Sequence, residues 1–132
     1  MQRFDLEVFL RNALAEDIGS GDITSQLTIP AEATARFAVV TRQKLVVAGL
    51  EFLPLLFALI DTSVVVTLEA ADGDKSESGA QLATLQGPAR SLLMGERLAL
   101  NLMQHLSGIA TLTHSYVEAV AGTKARITDT RK

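Results

Sequence analysis

Two stretches of this chain place cations where they could hold an anionic ligand. Gly95-Glu96-Arg97 leads directly into Leu98 to Thr111, which reads LALNLMQHLSGIAT, and the chain closes on Asp129-Thr130-Arg131-Lys132. Twelve Lys and Arg stand against fifteen Asp and Glu, a formal net charge of −3. No block of like charges stands out, so a dedicated nucleic-acid surface is not expected and any anion chemistry falls to single cations. Arginine is suited to this because its planar fork grips a carboxylate through two N–H groups, while lysine adds a compact point charge. Taken alone, Arg97 reads as an ordinary helix-surface cation or the partner of a nearby carboxylate. Arg131 and Lys132, taken alone, read as frayed and solvated.

Other residues with chemical potential read more blandly. Asp17 and Asp22 flank two glycines in EDIGSGDITS, Glu16 to Ser25, and could suggest a cation or phosphate loop. Such loops normally cap helices and turns through Asx contacts, and that is the expectation here. His105 and His114 are nine positions apart and do not share a helical face at metal spacing, so both are expected to be structural or exposed. Glu96 could orient Arg97 or only solvate its helix, and is assigned no role. Asn101 and Ser107 are expected to pack or cap. The segment DGDKSESGAQLA, Asp72 to Ala83, is similar to the hairpin that presents a modifiable lysine in biotinyl and lipoyl carrier domains. Ser76 replaces the usual apolar residue after the turn, so Lys75 is expected to be solvated. The absence of cysteine removes disulfides, thiolate zinc sites and a Cys nucleophile together.

These residues need a scaffold, and at 132 residues with 48% hydrophobic and 20% charged the chain is long enough for one compact domain with a small appendage. Leu6, Phe9, Leu10, Ala13 and Leu14 recur at helical spacing behind Asp5 as N-cap, with Phe4 placed as a staple on Phe9. Glu16 to Ser25 reads as a structured loop. Ala35 to Thr41 and Leu45 to Ala48 read as strands around a polar turn at Arg42 to Lys44. Leu50 to Ile60 reads as a short buried helix with Pro54 in its first turn. Ser63 to Ala70 and Ala80 to Gln86 read as two more strands, separated by an Asp72-Gly73-Asp74 turn. Pro88 starts the best helix, whose apolar side is Leu92, Leu93, Leu100, Met103 and Leu106 and whose expected stop is Gly108. A further helix is expected from Ile109 to Ala121, then a strand from Ala125 to Thr130 that delivers Arg131 and Lys132 at its end. That strand needs a partner.

EDIGSGDITS, the GER…ALN…LSGIAT stretch and the terminal DTRK together resemble the quinolinate phosphoribosyltransferases, and the similarity covers essentially the whole chain. The resemblance implies an α+β fold: a hammerhead-like α/β sandwich over residues 1–107, with a sheet of about four strands, then residues 108–132 as the lead-in helix and first strand of an incomplete α/β barrel. It implies transfer of the ribosyl group of phosphoribosyl pyrophosphate to the nitrogen of quinolinate, with loss of pyrophosphate and CO2, in NAD biosynthesis. It further implies magnesium with the pyrophosphate substrate and a homodimer or higher oligomer. In it, Arg97 reaches the site of a neighbouring subunit, while Arg131 and Lys132 line their own. No residue is singled out as catalytic or as a metal ligand. A paralogue of the same fold associated with molybdenum transport is the nearest alternative.

Asp5 and Glu7 interrupt any apolar leader, and Leu50 to Ile60 contains Glu51 and Pro54 and falls far short of the roughly 20 residues a bilayer span requires. A cytoplasmic protein with no membrane or nucleic-acid partner is therefore expected. The 132 residues alone are expected to be inactive, because they contain no P-loop and no adjacent acidic pair at the end of an apolar strand.

Overall fold

The computed structural model describes residues 5–19, 21 and 23–129. The first helix, α1 (Leu6–Ile18), forms as its periodicity predicts: the Asp5 carboxylate accepts a hydrogen bond from Val8 N at 3.2 Å, and Leu10 and Leu14 are buried. Phe4, the expected staple, lies outside the described residues. The expected loop from Glu16 to Ser25 is shorter than its composition suggested. Helix α1 continues to Ile18, and a second short helix, α2, spans Ile23–Thr28. Gly19 and Gly21, at φ 55° and 123°, turn the chain between them. The side chains of Thr24 and Ser25 did not prevent helix formation, because α2 is held from outside. Arg90 donates to the carbonyl oxygens of Gln26 and Ile29 at its C-terminal end.

Strands β1 (Thr34–Val40), β3 (Val65–Leu68) and β5 (Gln81–Pro88) form an antiparallel sheet in the order β1-β5-β3, with Phe37, Leu85 and Val66 aligned across it. That row faces the helices, while Arg36, Gln86 and Val65 align on the outer face, as strand alternation requires. Strands β2 (Leu45–Val46) and β4 (Lys75–Ser76) pair separately. The expected sheet of about four strands is thus three strands plus two, and the turn at Arg42 to Lys44 joins strands of different sheets. β4 is too short to show in a sequence pattern. The backbone of the β2 segment is satisfied instead from a helix: Val46 N donates to Thr111 Oγ1 at 2.9 Å and Ala48 N to Ser107 Oγ at 3.0 Å.

A 3-10 turn, Leu50–Phe52, runs into α3 (Leu53–Ile60), with Pro54 in the first turn as expected. The Asp72 carboxylate accepts from Gly49 N and Leu50 N at 2.9 and 2.8 Å, so the predicted Asp-Gly-Asp turn also holds the start of the 3-10 turn that leads into α3. The long helix α4 (Ala89–Ala119) follows Pro88 directly. Its start is tied to the end of α3 through Asp61, which accepts from Ser91 Oγ at 2.7 Å.

Gly108 does not stop α4. It lacks the positive φ that ends a helix, and Ser107 and Thr111 on either side are engaged with the β2 segment, so the helix continues for 31 residues in all. The separate helix expected from Ile109 is its C-terminal part. Leu100, assigned to the apolar side, is 36% exposed. Residues 125–129 have no regular structure, so the expected final strand is absent as far as the described residues go, with no ladder partner among them. Thr130 lies outside the described residues.

The core is built where α3 and α4 cross beneath the three-stranded sheet, from Leu53, Leu56, Phe57, Leu85, Leu92 and Ala99 among others. Gly95 sits at that crossing, where an added Cβ would stand 2.6 Å from Cε1 of Phe57 and 2.8 Å from Cδ1 of Ile60. Gly108 meets nothing within 4 Å. The two glycines of one helix should therefore respond oppositely to alanine. Gly95→Ala is expected to lose about 1–3 kcal/mol through overpacking. Gly108→Ala is expected to gain about 0.5–1 kcal/mol, because alanine is the better helix former. Urea denaturation of the two variants beside the parent chain measures both, and shifts of the same sign would contradict the packing described.

Candidate functional site

Helix α4 carries two arginines seven positions apart, Arg90 and Arg97, and both grip the C-terminal end of an earlier helix. A helix ends with unsatisfied carbonyls and a partial negative charge, so a guanidinium is stabilised there. Arg90 serves α2 through bonds to the backbone carbonyls of Gln26 and Ile29. Arg97 serves α1 differently. Its Nη2 donates to the Asp17 carbonyl oxygen at 3.0 Å, and its Nε lies 2.7 Å from Oδ1 of the Asp17 carboxylate. The Asp17 side chain is 22% exposed and that of Arg97 is 68% exposed. One edge of the guanidinium is anchored, and the rest of the group is open to solvent.

The structure therefore brings Arg97 together with Asp17, a pairing across 80 residues of sequence that spacing could not reveal. Asp17 had been expected to cap locally, and Asp22 lies outside the described residues. Glu96 is exposed, and it is Asp17 that faces the guanidinium. Arg131 and Lys132 lie outside the described residues, so only one of the three expected substrate-binding cations is placed.

Of the two residues expected to pack or cap, Ser107 is buried and bonded while Asn101 is exposed. Ser107 Oγ accepts from Ala48 N and donates to Ala48 O at 3.2 Å, and Thr111 Oγ1 donates to Ser107 O at 2.6 Å. The LSGIAT segment is thus a hydroxyl-bearing strip that stitches α4 to the β2 segment. Lys75 lies within β4 rather than at the tip of a turn, and its Nζ stands 3.2 Å from Glu118 Oε1. That geometry does not match a carrier hairpin. His105 is exposed, and His114 Nε2 lies 2.8 Å from the same Glu118 oxygen. Among the described residues no group of three or more His, Cys, Asp or Glu could hold a metal, and no helix is long and apolar enough to cross a membrane.

A cavity of about 1270 Å³ forms a mostly apolar groove between β1 and α4, whose lining includes Phe37, Val39, Leu85, Met103 and Leu112 but not Arg97. Arg36, Arg42 and Glu96 are the charged residues of its lining, and the rest is mostly apolar, so a multiply charged ligand would lose much of its hydration there. The polar feature at the α1–α4 junction is the better candidate for anion chemistry.

Residues 22–107 match the family described as quinolinate phosphoribosyl transferase, N-terminal domain. The chain belongs to that family. It is 40% identical over 132 residues to the probable carboxylating nicotinate-nucleotide pyrophosphorylase of Bacillus subtilis, covering all of this chain and 45% of that protein. It is 44% identical over 128 residues to the corresponding enzyme of Mycobacterium leprae, covering 93% of this chain and 44% of that protein. Among solved structures, NadC from Streptococcus pyogenes superimposes with a TM-score of 0.91 at 34% identity, over 99% of this chain and 48% of that one. The chain spans about half the length of the curated relatives it matches. The mixed helix-and-strand fold with a small sheet is that of the front part of these quinolinate phosphoribosyltransferase structures.

Within this family member the Lys75–Glu118–His114 cluster ties β4 to the far half of α4. Bonds from Lys75 and then His114 hold the Glu118 carboxyl below its ordinary value of 4.5. A depressed carboxyl stabilises the fold above its unfolded pKa, and the contribution is lost as pH falls through the folded one. The melting temperature of Glu118→Gln should therefore lie below that of the parent at pH 6 and converge with it below pH 4.5. A gap that persists unchanged into acid would sink this assignment.

Proposed function

We propose that this chain forms the N-terminal domain of a carboxylating nicotinate-nucleotide pyrophosphorylase, which makes nicotinate mononucleotide, pyrophosphate and CO2 from quinolinate and phosphoribosyl pyrophosphate. The carrying observation is the family match over residues 22–107, in which the GER segment lies on α4 and presents the exposed Arg97 guanidinium beside the end of α1. Quinolinate is a planar dianion with adjacent carboxylates, and a pocket for it must supply several fixed positive charges where water is scarce. Arg97, Arg131 and Lys132 are the residues assigned to that task.

The pyridine nitrogen attacks the anomeric carbon as pyrophosphate leaves through an oxocarbenium-like centre. The resulting pyridinium then takes up the electron pair released when the neighbouring carboxylate departs as CO2, and a proton replaces it on the ring. The substrate supplies its own electron sink, so the protein's contribution is orientation and electrostatics. Among the described residues no group of three or more His, Cys, Asp or Glu could hold a metal; magnesium would enter with the pyrophosphate substrate, on ligands beyond residue 132.

The domain division proposed at residues 107 and 108 falls inside α4, which makes one helix the connection between the sandwich and a barrel. Arg97 belongs to the first part and Arg131 and Lys132 to the second, which supports a pocket shared between two copies in a homodimer or larger assembly. The absence of cysteine fits a cytoplasmic location.

Removing one cation from a buried carboxylate pair costs about 2–5 kcal/mol, so Arg97→Ala or Lys132→Ala in the full-length enzyme is expected to lose about thirtyfold or more in quinolinate affinity. Mixed dimers of the two variants retain one intact pocket and should recover activity. No recovery in verified heterodimers would reject the shared pocket. The 132 residues by themselves should yield no nicotinate mononucleotide from the two substrates, as read by chromatography of the products.

A further inference from the structure

The Arg97 anchor has a direction. A guanidinium offers two edges to a carboxylate: a side edge, Nε with Nη2, and an end edge, Nη1 with Nη2. Here the side edge is the one engaged. Nε stands 2.7 Å from Asp17 Oδ1 and Nη2 donates to the Asp17 carbonyl oxygen at 3.0 Å. Among the described residues Nη1 has no hydrogen-bond partner, and the side chain is 68% exposed although its anchor is only 22% exposed. The anchor is itself fixed, because Asp17 lies in the last turn of α1, whose Leu10 and Leu14 are packed in the core, and Gly19 N closes that turn on the Ala15 carbonyl at 3.1 Å.

We infer that Asp17 is a positioning residue for Arg97, holding the side edge of its guanidinium so that the end edge is presented to a carboxylate of quinolinate. This rests on the proposed substrate role of Arg97. A long, flexible arginine otherwise loses rotamer freedom when it engages a ligand, and a side chain already ordered by a neighbouring carboxylate loses less. The carboxylate of Asp17 also meets part of the guanidinium's charge while the cation waits for its ligand, without occupying the edge the ligand needs. Arg90, two turns earlier, is the contrast: it donates to the carbonyl oxygens of Gln26 and Ile29 and holds α2.

The test compares Asp17→Asn, Arg97→Ala and the double variant in the full-length enzyme. Melting temperatures are recorded alongside KM for quinolinate, KM for phosphoribosyl pyrophosphate and kcat. Asp17→Asn keeps the shape and removes the charge. It is expected to raise the quinolinate KM roughly tenfold while leaving the KM for phosphoribosyl pyrophosphate within about twofold. In the Arg97→Ala background the same change should add nothing further, since there is then no guanidinium to orient. Asp17→Glu, which can re-form the pair from one methylene further out, should fall between Asp17→Asn and the parent.

An unchanged or lowered quinolinate KM in Asp17→Asn would overturn the inference, the lowered value meaning that Asp17 competes with the ligand. So would a full additional effect on top of Arg97→Ala, or loss of the folded state in both Asp17 variants. If instead Arg97→Ala leaves the quinolinate KM unchanged, the substrate role of Arg97 fails, and the positioning role fails with it. A strong Arg97→Ala effect with a silent Asp17→Asn rejects only the positioning role.

Discussion

Short segments of backbone cannot satisfy their own polar groups, and in this chain α4 satisfies them. The β2 segment is paired along only two residues, and the hydroxyls of Ser107 and Thr111 take up the amides of Val46 and Ala48. The six-residue α2 ends on carbonyls held by Arg90, and α1 ends at a carbonyl held by Arg97. Burying unpaired amides or carbonyls would cost more than any of these contacts gains, so the arrangement of the small elements depends on side chains carried by one helix. The apolar core holds α4 against the sheet, and the polar contacts decide where the remaining pieces lie.

This explains how a residue on a surface helix can present chemistry with a defined geometry. Arg97 is two residues beyond Gly95, where the approach of α3 leaves no room for a side chain. Its backbone is therefore placed by core packing and its head group by Asp17. The groove between β1 and α4 is mostly apolar, and Arg36, Arg42 and Glu96 are the charged residues of its lining.

Much of the fold was readable from residue order because it depends on local rules. Asp5 capping α1, Pro54 in the first turn of α3, Pro88 ahead of α4, and the β-branched run of β1 each announce themselves within a few residues. What escaped depends on distant partners. Gly108 carries a stop signal, but its neighbours Ser107 and Thr111 are engaged with a strand some 60 residues earlier, and the helix runs on. Two-residue strands leave no alternation to detect, so the second sheet was hidden and the strand count was merged into one. Of the candidate site, the cation at position 97 was legible from its sequence context. Its carboxylate partner was not, because the two meet only when α1 folds back along α4. Arg131 and Lys132 were legible as motif residues and lie outside the described residues.

The unbroken course of α4 through Gly108 turns the helix into a lever. From the tight crossing at Gly95 to its last residue, Ala119, it extends about 36 Å at 1.5 Å per residue, so each degree of tilt at the crossing moves the far end by about 0.6 Å. The missing methyl group at position 95 thereby governs more than local packing. Together with the ties from Ser107, Thr111 and Glu118 to the β2 and β4 segments, it sets the aim of what the helix carries to its far end, including the apolar side chains of Leu112 and Tyr116, which stand exposed along its outer half.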